Sequence, residues 1–218
     1  MGLPVFFSFT AYRVTHLPHH RFNRGPRDPA EIMNFSRSPA VRTCFFYAWI
    51  VAGMVLVVAT LPFSGYRSAR SGEERRAILC EYGIQAAVAG GVAALAVRFG
   101  FLEALATVWL LPLLVAMAIG NVRGWAEHMM TLPGHPLLRS RTVTENRLVS
   151  FLLLHSNFHL EHHLFPGMPW YNLPRLHRLL RPEYERHGAF VESSYLGFLA
   201  RALAAGVHGT TRRLPASR

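Results

Sequence analysis

The sequence contains no lysine, so arginine supplies all 23 of its basic residues, and it has only two cysteines and 12 acidic residues in 218. Charged residues make up 16% of the chain, against about 25% in a typical soluble domain. This low share argues against a soluble cytosolic enzyme. Because 51% of the residues are apolar, a disordered basic segment is excluded as well. Cys44 and Cys80 both lie in apolar stretches, which favours buried thiols over a disulfide or a cysteine metal site.

Three long apolar segments account for the missing charge. They are residues 44–63, 77–97 and 101–120, and each is long enough to cross a bilayer core of about 30 Å. The arginines lie in the polar stretches outside these segments, including a predicted loop at 64–76, as in membrane proteins whose loops carry the charge. Residues 189–207 predict an amphipathic helix at the membrane interface. The fold class expected is all-α: an integral membrane helical bundle with a cytoplasmic histidine-rich cap.

The net charge of +11 raises the question of nucleic-acid binding. The arginines are spread over several loops rather than gathered on one segment, which fits lipid headgroups and membrane orientation better. We therefore expect a membrane and no nucleic acid as partner. Basic residues that are all arginine are typical of GC-rich coding sequences and indicate a bacterial source.

One short histidine pattern occurs twice among the 12 histidines of the chain. It reads His16-Leu17-Pro18-His19-His20 and His159-Leu160-Glu161-His162-His163. Positions i, i+3 and i+4 lie on one face of a helix, so each copy predicts three converging imidazoles. Neutral imidazole suits iron, zinc or copper. Since Pro18 fits only the first turn of a helix, we expect His16 just before the helix that carries His19 and His20.

These motifs resemble those of one family. The stretch Asn157-Phe158-His159-Leu160-Glu161-His162-His163-Leu164-Phe165-Pro166 resembles the third histidine box of the membrane fatty acid desaturases, and residues 169–177 continue the likeness. The stretch from Tyr12 to His20, followed by Asp28-Pro29, is similar to the second box. Arg123 to His128 is similar to the Arg-x-x-x-Glu-His segment before the third box.

The resemblance implies a membrane oxidoreductase that uses a non-haem di-iron centre and dioxygen, with electrons from an external carrier such as a ferredoxin or a cytochrome. The metal ligands it implies here are His16, His19, His20, His128, His159, His162 and His163. Asn157 would act as a water-mediated ligand or donor, and Asp28 and Glu127 would accept hydrogen bonds that orient imidazoles. His155, four residues before His159, is a weaker candidate ligand, and His177 receives no role.

The family has a first box, His-x-x-x-His, ahead of the second, and no such pair precedes His16. We therefore expect residues 1–218 to form a single desaturase-like domain that lacks an N-terminal part. Both boxes must face the same side to share a metal site, so an even number of spans must separate them. One of the three apolar segments then does not cross: 44–63 if loop 64–76 is cytoplasmic, or one of the other two if 44–63 crosses. The expected location is a bacterial inner membrane with the boxes facing the cytoplasm.

The expected function is desaturation of a lipid acyl chain. Because the first box is missing, we do not expect full activity from this chain alone. Hydroxylation or ketolation of a lipid, an alkane or a carotenoid is an alternative, because related enzymes run all these reactions and a fold does not fix the outcome. A non-catalytic, histidine-rich metal-binding membrane protein is a further alternative. Every candidate ligand lies outside the apolar segments, which argues against a transporter, whose ligands sit within its spans.

Overall fold

The computed structural model of the chain describes Gly2, residues 5–31 and residues 36–206. Its first half contains the helices α1 (Phe9–Phe22), α2 (Pro39–Ser68), α3 (Gly72–Phe99) and α4 (Leu102–Leu105), a π-helical turn (Ala106–Leu110) and α5 (Leu111–His128). Its second half contains β1 (Arg141–Val143), α6 (Arg147–Leu152), α7 (His159–Leu164), α8 (Leu173–His187), β2 (Phe190–Glu192) and α9 (Tyr195–Ala205). Helices therefore dominate, as the composition predicts.

Three helical stretches are long and apolar enough to cross a membrane: α2, α3, and the continuous run Leu102–His128 made of α4, the π turn and α5. The three predicted apolar segments are thus confirmed as helices. Most residues in these stretches are not buried by protein. Their exposed apolar surface therefore suits contact with lipid.

The predicted loop at 64–76 is wrong, because α2 continues to Ser68 and α3 begins at Gly72. The side chain of Ser71 caps α3 by accepting from the backbone N–H of Glu74. Glu74 lies in the first turn of α3 and Arg67 in the last turn of α2, each on the side that the helix dipole favours. The charges therefore mark helix ends rather than a loop.

The chain forms two compact units. The first consists of the residues up to His19 together with Val51–Asn121. Its core includes Ala11 and Leu61, and the helices α1 and α2 approach closely at Gly65, where a Cβ atom would lie 2.5 Å from that of Ala11. At the start of α1, the backbone N–H and the hydroxyl of Thr10 both donate to the carboxylate of Glu81 on α3. A carboxylate at a helix N-terminus satisfies donors that the helix itself leaves open.

The second unit consists of His20–Ile50 and the residues from Val122 onward. Its main core contains Phe46, Trp125 and Phe198, and the indole N–H of Trp125 donates to the carbonyl of Phe46 over 3.1 Å. The strands β1 and β2 pair in parallel, with Arg141 opposite Phe190. This pair is the one sheet among the described residues, which also include an isolated antiparallel bridge between Gly2 and Phe7.

Two local expectations fail. The stretch 189–207 is not one interfacial helix: residues 190–192 form β2, and α9 packs Tyr195, Phe198 and Ala202 into the core of the second unit. The face that carries these three residues is covered by protein, whereas Leu196 and Leu203 on the same helix are exposed. His16 does not precede the helix, since α1 runs from Phe9 to Phe22 and includes Pro18. The missing N–H of proline costs one hydrogen bond there but leaves the rest of the helix intact.

Candidate metal centre

The second copy of the histidine pattern forms the short helix α7, which carries His159, His162 and His163. Its six residues are too few to hold a helix by backbone bonding alone. Side chains anchor it instead: Leu160 packs into a small core with Leu137 and Tyr184, and the carboxylate of Glu161 is fully buried. The pattern therefore puts the imidazoles on a helix, as expected, and the apolar and acidic positions between them fasten that helix to the second unit.

Three imidazoles converge through the same ring nitrogen. Nε2 of His159 lies 2.8 Å from Nε2 of His128 and 3.0 Å from Nε2 of His163. His128 is the last residue of α5, so the Arg-x-x-x-Glu-His segment supplies it to the cluster. Nitrogens that share one metal ion at about 2.1 Å are separated by about 3.0–3.4 Å, close to these distances.

His20 and His162 extend the cluster. The ring of His20 lies 4.6 Å from that of His162 and 4.3 Å from that of His163, measured between centroids. One ring nitrogen of His20 comes within 4.8 Å of one of His162. The structure thus brings together five of the seven predicted ligands within the second unit: His20, His128, His159, His162 and His163.

His16 and His19 belong to the first unit, on the part of α1 that precedes His20. Their rings lie 5.5 Å apart, and the ring of His16 stacks on Tyr12 at 4.4 Å. His19 is buried, whereas His16 is partly exposed. Both lie on the same helix as His20, although His16 was expected just before that helix.

Glu127 occupies the position expected of an orienting acceptor. Its carboxylate is fully buried and lies 3.4 Å from Nδ1 of His159. Arg123, one helical turn earlier, pairs with it at 3.2 Å, and the hydroxyl of Tyr195 donates to it over 2.7 Å. Burial, followed by the nearby positive charge of His163 and His128 when protonated, lowers the pKa of His159 well below its ordinary value. His159 is therefore neutral at physiological pH, the form that binds a metal.

Asn157, the predicted water-mediated ligand or donor, and Asp28, the other predicted orienting acceptor, are both buried. The amide nitrogen of Asn157 donates to the carbonyl of Val143 and to the hydroxyl of Ser150, which leaves Oδ1 without a hydrogen-bond partner among the described residues. A buried acceptor in that state fits the expected water-mediated role. Asp28 accepts from the backbone N–H groups of Arg24 and Ala30 and so shapes the turn after α1.

His155 does not share the ligand face of α7. Leu154 and His155 both adopt left-handed backbone angles, with φ of 50° and 51°, so the helical spacing to His159 is lost. The imidazole of His155 stacks on Trp170 with 5.6 Å between ring centroids. Consecutive left-handed residues other than glycine are rare, and such strain concentrates near functional sites.

Sequence reasoning missed the partners of Glu161. Its Oε1 lies 2.6 Å from Nδ1 of His177 and accepts from the hydroxyl of Tyr184 over 2.8 Å, while Oε2 accepts from the hydroxyl of Thr142. These contacts join α7 to α8 and β1. Burial and then the charge of Glu161 raise the pKa of Tyr184, which keeps its hydroxyl protonated as a donor. The only available signal was His177 within the family-like segment.

Arg141 is a second residue that the sequence did not single out. Its guanidinium is buried and donates to the carbonyls of Ala126, Met129 and Met130, at the carboxyl end of α5 next to His128. Burial lowers its pKa to about 9, which still leaves it charged at neutral pH. Arg141 therefore closes the helix end that presents His128.

A cluster of imidazoles with a buried carboxylate behind it is a donor set that binds a transition metal. The histidines of the second unit fit such a site. They would hold the metal, and the bound metal would supply the reactivity.

Comparisons with known proteins identify a family. A family model described as fatty acid desaturase matches residues 1–195. Dihydrorhizobitoxine desaturase from Bradyrhizobium elkanii is 28% identical over 202 residues, which cover 81% of this chain and 54% of that protein. Human sphingolipid delta(4)-desaturase/C4-monooxygenase is 40% identical over 62 residues, or 28% of this chain and 17% of that protein. The chain thus spans about half the length, or less, of these relatives. No solved structure matches it significantly.

Proposed function

The chain belongs to the fatty acid desaturase family, and we propose that it is a membrane-bound oxidoreductase that desaturates the acyl chain of a lipid. The observation that carries this proposal is the convergence of the Nε2 atoms of His128, His159 and His163. Two relatives named as desaturases support the reaction type. The apolar helices support an acyl chain as substrate, since it can enter a centre at the membrane surface from the bilayer.

The ligand set we propose is that of the two boxes and the Glu-His segment: His16, His19, His20, His128, His159, His162 and His163. His16 lies four residues before His20 on α1, so both imidazoles leave the helix on the same face. His19 precedes His20 directly. A non-haem di-iron centre held there would supply the activation of dioxygen and the removal of hydrogen from an unactivated methylene.

The protein's own residues would prepare that centre. Glu127 would accept the Nδ1 proton of His159, which leaves the Nε2 lone pair for the metal. Tyr195 and Arg123 fix the carboxylate of Glu127 from its other sides. Asn157 would hold a water beside the centre through its unpaired Oδ1, and Asp28 would keep the turn after α1 in place.

The proposal includes partners and a location. Electrons would come from an external carrier such as a ferredoxin or a cytochrome, and nucleic acid is not a partner. We place the protein in a bacterial inner membrane with the histidine boxes facing the cytoplasm. Basic residues that are all arginine support the bacterial source, and three helices of spanning length support the membrane.

The test combines metal content with lipid analysis. The chain is expressed in bacteria, purified in detergent and assayed for iron, and the lipids of the cells are analysed for new double bonds. The proposal expects bound iron that is lost in His159→Ala and kept in His187→Ala, a matched histidine that stacks on His135 away from the cluster. Equal iron content in both variants, or no iron in the wild type, would contradict the metal centre.

Hydroxylation is the second candidate, because one relative is named both desaturase and C4-monooxygenase. Ketolation of a carotenoid and hydroxylation of an alkane are close alternatives in this reaction class. The same lipid analysis separates them, since each leaves an oxygenated product instead of a double bond. Bound metal without any new product would favour a non-catalytic metal-binding protein.

A further inference from the structure

Asn23 lies in the turn directly after α1, three residues beyond His20. It is only 4% exposed. Its side-chain amide lies 3.2 Å from Nδ1 of His163, a residue 140 positions further along the chain. A buried polar side chain therefore faces the ring nitrogen of His163 that points away from the converging Nε2 atoms.

The orientation of this amide follows from its hydrogen bonds. With Nδ2 toward His163, the amide oxygen of Asn23 is buried and has no hydrogen-bond partner among the described residues. The oxygen and nitrogen of an amide have nearly the same shape, so their assignment is decided by the hydrogen-bond network. Turning the amide by 180° places Oδ1 against Nδ1 of His163, where it accepts a proton, and moves Nδ2 to the buried position that Oδ1 left. Of the two orientations, the turned one suits an imidazole whose Nε2 binds a metal, because such a ring carries its proton on Nδ1.

We propose that Asn23 is a positioning residue for the metal centre: its Oδ1 accepts the Nδ1 proton of His163. In that tautomer the Nε2 of His163 carries the lone pair. This nitrogen lies 3.0 Å from Nε2 of His159, so the lone pair belongs to the nitrogen at the point of convergence. The inference rests on the proposed function, because it assigns a role toward the metal that the cluster would bind.

His159 has a comparable neighbour at its own Nδ1. The carboxylate of Glu127 lies 3.4 Å from Nδ1 of His159, and the amide of Asn23 lies 3.2 Å from Nδ1 of His163. Ligand imidazoles generally donate their second N–H to a carboxylate or carbonyl oxygen, which fixes tautomer and ring orientation. Asn23 supplies that oxygen from the second-box segment, and so couples the turn after α1 to a ligand of the third box.

The test uses Co²⁺ as a probe on the purified full chain in detergent. Asn23→Leu and Asn23→Ala remove the acceptor, whereas Asn23→Asp keeps an acceptor and removes the donor. We expect the two variants without an acceptor to bind Co²⁺ about 10–100-fold more weakly and with an altered cobalt absorption spectrum. Asn23→Asp should keep both the affinity and the spectrum near those of the wild type.

Asn172→Leu and Asn172→Asp are the matched controls, because Asn172 makes no side-chain capping bond to the helix that follows it. Circular dichroism establishes that each variant is folded. Wild-type Co²⁺ binding in folded Asn23→Leu or Asn23→Ala would overturn the inference and leave the proposed centre standing. Weakened binding in Asn23→Asp would overturn it too, since that result assigns the amide a donor role. A wild-type chain that binds no Co²⁺ would overturn the proposed metal centre and this inference with it.

Discussion

Nδ1 of His177 lies 2.6 Å from the carboxylate of Glu161, and the two residues join the helix that carries the third histidine box to α8. Glu161 is fully buried, and its other donors are the hydroxyls of Tyr184 and Thr142. The carboxylate thus binds three side chains from two separate elements, α8 and β1. The glutamate between the box histidines holds their helix in place from behind.

Glu161→Leu should destabilise the protein, because it leaves the side chains of His177, Tyr184 and Thr142 without their shared hydrogen-bond partner. Removing one partner of such a buried network costs about 3–5 kcal/mol in free energy of unfolding. Glu183→Leu is the control, since Glu183 forms an exposed pair with Arg186. The measurement is denaturant unfolding in detergent. Equal midpoints for the two variants would show that the network contributes nothing.

We expect the protein to lose stability at alkaline pH because of the buried hydroxyl of Tyr184. Burial and then Glu161 raise the pKa of its hydroxyl above the ordinary value of 10.0. A raised pKa stabilises the folded protein fully below pH 10, and this contribution is lost as pH rises from 10 toward the folded pKa, because the unfolded tyrosine ionises first. The loss amounts to about 1.4 kcal/mol per pH unit for one such group.

Tyr184→Phe should therefore unfold with a weaker pH dependence than the wild type between pH 10 and 11. Tyr171→Phe is the control, because the side chain of Tyr171 is exposed. The measurement is the unfolding midpoint in detergent at pH 8, 10 and 11. Parallel curves for Tyr184→Phe and the wild type would contradict the assignment.

Arg141→Met should weaken metal binding as well as stability. The guanidinium closes the end of α5 by donating to the carbonyls of Met129 and Met130, and His128 lies at that end. Loss of the contacts to these carbonyls and to that of Ala126 should let the last turn of α5 fray and should move His128. Arg141→Lys should rescue little, because an ammonium cannot reproduce the planar fork. Arg181→Met, at an exposed pair, is the control. Unchanged Co²⁺ affinity in Arg141→Met would refute the link to His128.

Gly65→Val should disrupt the first unit. A Cβ at Gly65 would lie 2.5 Å from Cβ of Ala11, so any side chain must push α1 and α2 apart. We expect a loss of at least about 1–3 kcal/mol, the range for overpacking a core. Gly83→Val is the matched control, because nothing lies within 4 Å of a Cβ there. Thermal unfolding in detergent should separate the two variants, and similar midpoints would contradict the close approach.

The sequence predicted those parts of the site that follow a local pattern. The spacing of His159, His162 and His163 fixes a helical face, and length and apolarity identify the membrane helices. Asn23 and Arg141 could not be found in this way. Each is a single polar residue whose partner lies far away in the chain or is a backbone carbonyl, and neither property leaves a periodic signal.

Local patterns led to wrong predictions where one pattern is compatible with two different local structures. An apolar face at 189–207 fits the membrane interface and a protein core equally well, and α9 uses it for the core around Phe198. Arginines around residue 67 fit a loop and a helix end equally well, and α2 extends to Ser68. Such ambiguities are resolved by tertiary contacts, which composition does not encode.

The contact between Asn23 and His163 has a consequence for biosynthesis. Because 140 positions separate the two residues, a ribosome completes the three apolar helices before it adds the third box. The apolar helices of the nascent chain can therefore enter the bilayer before the histidines of the third box have been synthesised. In the proposed centre, a metal ion that takes ligands from both segments can bind only after the third box has been synthesised and has folded against the turn after α1.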